Sequence, residues 1–389
     1  MIQADDYPEL HESRFPETKR RLRELFIGQR MGTLAYVVPI QNLEKKDLPK
    51  PSVDVPIDRL RVDDKWEDML AFRLNSQQKR LWGHDWGMPM LNPNFHGYGV
   101  ESVAYGSVYT ANPCGTTPVC DTLDDIDRLP DVTMENEPFK HALDFLQYIN
   151  NNVSGKLPTV MFQMNGPISA VGLIVKQEEI LVATVEQPEK LKEFLSLMTD
   201  QYIAFIKSQI RLVPNITLQA AAFDTWWPLD CGILCEDDTM MSLSPKAFVE
   251  FMVPCYNRIS DAFGGIGLHS CGDPSHLFTV MRDNIKNLRA LWINSGEYPF
   301  EKAAEVFKGT NTVITTRLSL QTKRGYANRT EFIKDMLRMK PDDLSLLLCA
   351  QLENSPQIWA DKSGLEENEN IRAYEIMSVF ERYNQYSVV

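Results

Sequence analysis

The residues of this sequence best suited to chemistry are a histidine and a cysteine two positions apart. They are His269 and Cys271, in the segment Gly-Leu-His-Ser-Cys-Gly-Asp. Residues 265–269 are predicted to form a buried strand, and side chains at positions i and i+2 of a strand project to the same face. An imidazole and a thiolate therefore point together from the end of this strand, and both are ligands that Zn²⁺ accepts.

A second cysteine at a predicted strand end is a candidate third ligand. Cys349 follows the apolar run 344–348. Three protein ligands from two strands, with one coordination position open, are typical of a catalytic zinc site. The sequence equally allows His269, Cys271 and Cys349 to be satisfied core residues, or a structural zinc site closed by a fourth protein ligand.

Four further residues are candidates for catalysis or substrate binding. Asp224 ends an apolar run, where a carboxylate could act as an acid or base, and Trp226 follows as a wall for an apolar or flat substrate. Glu236 opens the acidic cluster Glu236-Asp237-Asp238, which could supply a fourth zinc ligand or a general acid or base, or could be ordinary charge near a helix start. Arg317 ends another predicted strand and could hold an anionic group or form a salt bridge.

The elements that must position these residues alternate between apolar runs and helical patterns. Eight runs are predicted strands, and they cover residues 34–40, 88–92, 159–164, 217–223, 265–269, 290–293, 313–316 and 344–348. Alternating β and α elements indicate a parallel sheet covered by helices. Eight strands without a glycine-rich phosphate motif favour a (β/α)₈ TIM barrel of the α/β class, in which chemistry lies where strands end.

We expect residues 1–389 to form one barrel domain. Residues 1–33 are expected to be an N-terminal helical extension, residues 41–85 an extended connection and a helix, and the barrel core about 34–389. The segment 84–120 is rich in His, Asn, Tyr and Cys and matches no motif.

Composition and charge exclude several classes of protein. With 43% hydrophobic and 24% charged residues, the chain of 389 residues has a globular composition. Its net charge of −13 makes nucleic acid and anionic membrane surfaces poor partners. The acidic N-terminus lacks the features of a signal peptide, and no apolar run is long enough to span a bilayer, so a cytoplasmic location is expected.

The motifs together resemble the uroporphyrinogen decarboxylase superfamily. The similar segments are Gly-Leu-His-Ser-Cys-Gly, the distant Cys349, the Ser-Pro helix start at Ser244, the strand-end segment Gln-Met-Asn-Gly-Pro that contains Asn165, and Phe-Asp-Thr-Trp. The similarity covers roughly residues 85–385. Within that superfamily, the motifs resemble more specifically the zinc-dependent, cobalamin-linked methyltransferase branch, whose members are (β/α)₈ barrels.

This resemblance implies a function and a set of site residues. It implies that His269, Cys271 and Cys349 hold zinc, and that Asn165 contacts substrate. It implies a methyl transfer between a corrinoid and a small thiol or methylated compound. The sequence has no Asp-x-His-x-x-Gly cobalamin signature, so the corrinoid is expected on a separate partner protein. The arginine-rich signature that binds porphyrin propionates is not evident near residues 30–45, which argues against tetrapyrrole decarboxylation.

Two other functions stay open at the level of sequence. A metal-independent decarboxylase or lyase would keep the barrel and use Asp224 as its acid. A non-catalytic binding barrel would show neither turnover nor a corrinoid partner. The oligomeric state and the direction of methyl transfer are not determined by the sequence.

Overall fold

The structure, a computed structural model, describes most of the chain. The described residues are 4–38, 40–41, 44, 66–94, 99–109, 116–153, 155–219, 225–293, 300–317, 329–349 and 366–386.

Two parallel sheets form the centre of the molecule, and their strands are numbered here in chain order. The strands are β1 (Leu34–Val37), β2 (Thr159–Val160), β3 (Ile216–Thr217), β4 (Ile233–Glu236), β5 (Ile266–His269), β6 (Leu288–Ile293), β7 (Val313–Arg317) and β8 (Leu346–Cys349). Six of them make one sheet in the order β1-β8-β7-β6-β5-β4, and β2 pairs with β3 in the other. All of these pairs are parallel.

Backbone contacts join the two sheets into a closed ring. The amide of Leu234 donates to the carbonyl of Leu218 (2.9 Å), which links β4 to the segment that follows β3. Leu91 bridges to Thr159 of β2. The amide of Trp86 donates to the carbonyl of Tyr36 (3.0 Å), which returns the ring to β1. The predicted α/β barrel is therefore confirmed.

Two strand predictions need correction. The predicted strand 88–92 contributes a single bridge, at Leu91, to the parallel ring. The strand β4 was not predicted, because it has four residues and the last of them, Glu236, opens the acidic cluster. All four of its residues are nevertheless buried.

Helices cover the ring from outside, as the alternating pattern predicts. Their bounds are Pro16–Phe26, Trp66–Gln78, Val100–Ala104, Phe139–Val153, Pro167–Ile174, Gln177–Glu186, Pro188–Leu212, Pro245–Ala247, Val253–Phe263, Phe278–Asn284, Phe300–Phe307, Arg329–Met339 and Glu366–Tyr386. A π-helical turn, Phe248–Met252, connects Pro245–Ala247 to Val253–Phe263. The Ser-Pro start is confirmed, because the hydroxyl of Ser244 accepts from the amide of Ala247 (3.2 Å). None of the helices in the described ranges has an apolar stretch long enough to cross a lipid bilayer.

Two short antiparallel pairs lie outside the ring. Ile40–Gln41 pairs with Arg80–Leu81, and Val108–Tyr109 pairs with Thr116–Thr117. The core inside the ring and under the helices is one large cluster of buried apolar side chains. A smaller cluster lies between Trp66–Gln78 and Phe139–Val153.

The N-terminal segment closes the end of the barrel at which the strands begin. The amide of Glu12 donates to the carbonyl of Lys156, just before β2 (2.8 Å). Arg23 forms an ion pair with Asp230, just before β4 (2.6 Å). Because one end is covered in this way, the opposite end, where the strands terminate, is the end available to ligands.

Candidate metal centre at the strand ends

Three potential metal ligands converge at the ends of two neighbouring strands. His269 is the last residue of β5 and pairs in register with Glu236, the last residue of β4. The chain continues from these strands to Asp238 and Cys271. One ligand atom from each of Asp238, His269 and Cys271 lies within 4.8 Å of the others. The Nε2 of His269 is 3.4 Å from the Sγ of Cys271.

Backbone hydrogen bonds hold this group together. The amide of Cys271 donates to Oδ1 of Asp238 (2.6 Å), so the two chain segments beyond the strands are tied to one another. The amide of Asp237 donates to the carbonyl of His269 (2.9 Å). The imidazole lies against the ring of Trp292, with centroids 4.1 Å apart. His269 is buried, whereas Asp238 and Cys271 are exposed, so the group opens to solvent on one side.

Asp237, which lies between Glu236 and Asp238 in the sequence, has a different environment from Asp238. Asp237 is fully buried and accepts hydrogen bonds from the amide of Ser169 (2.8 Å) and the hydroxyl of Tyr256 (2.9 Å). It therefore caps the N-terminus of Pro167–Ile174, where backbone amides are otherwise unsatisfied. Burial raises the pKa of Asp237 to about 6, against these hydrogen bonds, which favour the ionised form. Its position is structural: it fixes the turn that presents Asp238.

Glu236 joins the end of β4 to the segment that follows β2. Its carboxylate accepts from the side-chain amide of Gln163, and its backbone carbonyl accepts from the amide of Gly166 (2.6 Å). Glu236 was predicted to be a fourth zinc ligand or a general acid or base. Among the described residues, the acid within ligand distance of His269 and Cys271 is its neighbour Asp238.

A buried glutamate, Glu101, extends the polar cluster at the strand ends. It lies on the short helix Val100–Ala104 and is completely inaccessible to solvent. Its Oε1 accepts from the side-chain amide of Asn165 (2.7 Å), and its Oε2 has no hydrogen-bond partner among the described residues. Burial, reinforced by the nearby charge of Asp237, raises the pKa of Glu101 to about 7, although the bond from Asn165 acts in the opposite direction.

Three other predicted site residues, Cys349, Arg317 and Asp224, are not part of this group of potential metal ligands as the structure describes it. Cys349 is buried at the end of β8, in register with Val37 on one side and Arg317 on the other. Two strands separate it from β5, and its sulfur is not within 4.8 Å of all members of the Asp238–His269–Cys271 group. Arg317 ends β7 as predicted, but its side chain lies outside the described residues, as does all of Asp224.

Trp226 is placed away from the strand ends. The ammonium group of Lys19, on the N-terminal helix Pro16–Phe26, lies 4.8 Å from its ring centroid. The adjacent Trp227 packs against Phe26 of the same helix, with centroids 4.2 Å apart. Because that helix covers the opposite end of the barrel, the structure does not bring Trp226 to the metal group as a substrate-binding residue.

Sequence reasoning missed Glu101 and chose Glu236 over Asp238. The sequence gives no local signal for Glu101, because it stands alone in the aromatic-rich segment 84–120 and its burial depends on the packing of distant helices. For Asp238 the signal was present, since it belongs to the acidic cluster. The turn after β4 determines which member of that cluster joins the group, since the amide of Cys271 binds Asp238 there.

The protein is an α/β barrel that carries an acid, an imidazole and a thiol at its strand ends. A family model described as uroporphyrinogen decarboxylase (URO-D) matches residues 98–227, a segment that contains Glu101 and Asn165 and ends before His269. The resemblance to the uroporphyrinogen decarboxylase superfamily that the motifs predict is thereby confirmed. A search of curated protein sequences finds no match.

Comparison with solved structures supports the same fold. A methyltransferase from Methanosarcina mazei is similar with a TM-score of 0.60 and 15% sequence identity, and the alignment covers 94% of this chain and 99% of that one. At this level of identity the likeness establishes a shared fold over almost the whole length of both proteins.

Proposed function

We propose that this protein is a zinc-dependent methyltransferase that moves a methyl group between a separate corrinoid protein and a small thiol or methylated compound. The observation that carries the proposal is the convergence of Asp238, His269 and Cys271 within 4.8 Å at the strand ends. The superfamily resemblance and the methyltransferase of the same fold support it.

The chemistry of the three side chains fits zinc. Nitrogen, sulfur and carboxylate oxygen are its usual protein donors, whereas magnesium and calcium require oxygen donors throughout. Three protein ligands leave a coordination position for substrate. In this proposal Asp238, His269 and Cys271 hold the ion. The alternative set of three, predicted from the sequence, is His269, Cys271 and Cys349.

The bound ion would act as a Lewis acid. It would either stabilise a substrate thiolate or polarise a methyl-bearing heteroatom. The protein's own residues orient the ligands. The backbone amide of Cys271 orients Asp238, and Trp292 restricts rotation of the His269 ring. The exposure of Asp238 and Cys271 leaves the group accessible to a large partner, as transfer to or from a corrinoid on another protein requires.

Metal analysis of purified variants tests the ligand assignment. We expect close to one zinc per chain in the wild type, and a loss of most of it in His269→Ala, Cys271→Ser and Asp238→Asn. Matched controls are His276→Ala, whose ring contacts the carbonyl of Leu243 (2.9 Å), and Cys231→Ser, a buried thiol beside Asp230 at the other end of the barrel. Both controls should keep their zinc. Full zinc content in a ligand variant would remove that residue from the site.

The methyl transfer itself is tested by the absorbance of cobalt. The protein is mixed with methylated or reduced corrinoid, free or bound to corrinoid proteins, and with panels of thiols and of methyl ethers and amines. We expect one panel to change the spectrum in a zinc-dependent manner with wild type and His276→Ala but not with His269→Ala. Methyl transfer that persists fully after zinc removal would contradict the role of zinc, and the absence of any spectral change with every panel would favour the metal-independent lyase.

A further inference from the structure

The carboxyl of Glu101 contacts one of the polar segments next to the candidate metal centre. Asn165 binds Oε1 of Glu101, and the adjoining amide of Gly166 binds the carbonyl of Glu236 (2.6 Å). Asp237, close enough to influence the charge of Glu101, donates from its backbone amide to the carbonyl of His269 (2.9 Å). A short chain of direct contacts therefore connects Glu101 to both β4 and β5.

The burial of this carboxyl is difficult to explain by structure alone. A buried carboxyl is costly unless its oxygens have hydrogen-bond partners, and an apolar side chain at this position would avoid the cost. Asp237, equally buried, illustrates the satisfied case, because its oxygens accept from Ser169 and Tyr256. Glu101 differs, because Oε2 is buried and has no partner among the described residues. Such an atom is a place where a ligand can bind.

We propose that Glu101 is a substrate-contacting residue, whose Oε2 binds a hydroxyl or similar polar group of the small substrate while the reacting heteroatom lies at the metal group. This inference rests on the proposed function and adds to it a chemical class: a small thiol or methyl compound that carries a second, polar group. Asn165 is then a positioning residue, because it fixes the carboxyl through Oε1.

The state of the carboxyl suits this role. Since burial raises its pKa to about 7, Glu101 exists near neutral pH both as a carboxylate, which accepts, and as an acid, which donates. A hydroxyl group can pair with either form, since it is both donor and acceptor.

The test compares matched thiols on the protein loaded with Co²⁺ in place of zinc. Ethanethiol and 1-propanethiol are paired with 2-mercaptoethanol and 3-mercapto-1-propanol, and binding is followed by the increase in thiolate-to-cobalt charge-transfer absorbance over that of the thiol-free protein. The measured quantity is the ratio of dissociation constants within a pair of equal chain length. Differences in hydration between the thiols cancel when this ratio is compared between protein variants.

In Glu101→Ala, we expect the preference for the hydroxylated thiol to fall about tenfold for at least one chain length, the usual effect of a lost buried hydrogen bond. Glu101→Gln should retain most of it, because the amide can also bind a hydroxyl group. The control is Ser102→Ala, a buried neighbour on the same short helix that binds the carbonyl of Gly99 (2.9 Å). It should leave the ratio unchanged.

The outcomes separate this inference from the proposed function. If wild type and Glu101→Ala bind the paired thiols in the same ratio at both chain lengths, Glu101 is not a substrate contact, although thiol binding to the metal stands. An equal fall of the ratio in Ser102→Ala would also overturn the inference, since it would indicate a general disturbance of the helix. If no thiol changes the charge-transfer absorbance of the wild type, thiol binding at the metal fails and the role of Glu101 fails with it, whereas methyl transfer from a methylated compound is decided separately by the cobalt assay.

Discussion

At the scale of single residues, the burial of the Glu101 carboxyl has the clearest consequence for the free energy of unfolding. Its pKa in the folded protein, about 7, lies above the ordinary value of 4.5 because the charged form is desolvated. A carboxyl with a raised pKa binds its proton more tightly in the folded state. Its contribution to stability is therefore present at low pH and is lost as pH rises from about 4.5 through 7.

We predict that Glu101→Gln becomes more stable relative to wild type as pH rises. The difference in free energy of unfolding between the variant and wild type should grow by about 3 kcal/mol between pH 4 and pH 8, because glutamine has no charge to desolvate. Urea denaturation at several pH values measures it, with the exposed Glu178→Gln as a control that should show little change. A difference that is constant with pH would show that Glu101 is not held in the environment described.

Site residues can be predicted from the sequence when local interactions place them, and not when distant parts of the chain do. His269 and Cys271 are recognisable because their relation is local, two positions at the end of one strand. Cys349 and Arg317 are recognisable as strand ends, but their distance from His269 depends on the curvature of the whole ring. The placement of Trp226 could not be predicted, because it is determined by the N-terminal helix, about 200 residues earlier.

At the scale of elements, the presentation of the site depends on the close approach of β4 and β5. Gly232 precedes β4 with φ of 99°, and a Cβ atom there would lie 2.0 Å from the carbonyl oxygen of Gly265. That contact is with backbone, which cannot move aside without shifting the start of β5. The pairing that brings Glu236 opposite His269 therefore begins at two glycines.

Gly232→Ala is predicted to destabilise the protein far more than a glycine substitution with similar φ but free space. We expect a loss of about 3 kcal/mol or more in the free energy of unfolding, from backbone strain and the clash together. Gly83→Ala is the matched control, since its φ is 93° and no atom of the described residues lies within 4 Å of the new Cβ. It should lose about 1–2 kcal/mol, from strain alone. Equal losses in denaturant unfolding would contradict the close approach.

The helices and strands differ in how well their sequences specify them. The helix Pro188–Leu212 follows from its regular apolar spacing, and the start at Pro245 follows from the Ser-Pro pair. The strand β4 does not, because a run of four residues carries little periodic signal and its burial comes from strands on both sides. This is the element that positions Asp237 and Asp238.

At the scale of the whole molecule, the two ends of the barrel have different roles. The N-terminal segment covers the end where strands begin, through the contacts of Glu12 and Arg23 with the loops before β2 and β4. The strand ends at the other side carry His269, Cys271 and the acidic residues. This division is the usual one for α/β barrels, in which stability and chemistry belong to opposite faces.

The central claim is that Asp238, His269 and Cys271 hold zinc, and X-ray absorption at the zinc edge of the purified protein tests it most directly. The account predicts a mixed first shell, with sulfur at about 2.3 Å and nitrogen or oxygen at about 2.0–2.1 Å. When Cys271→Ser is reconstituted with excess zinc, the shell of the bound ion should lack one sulfur, and a second sulfur lost only in Cys349→Ser would place Cys349 among the ligands. A shell of oxygen and nitrogen alone, or a sulfur contribution unchanged in Cys271→Ser, would contradict the account.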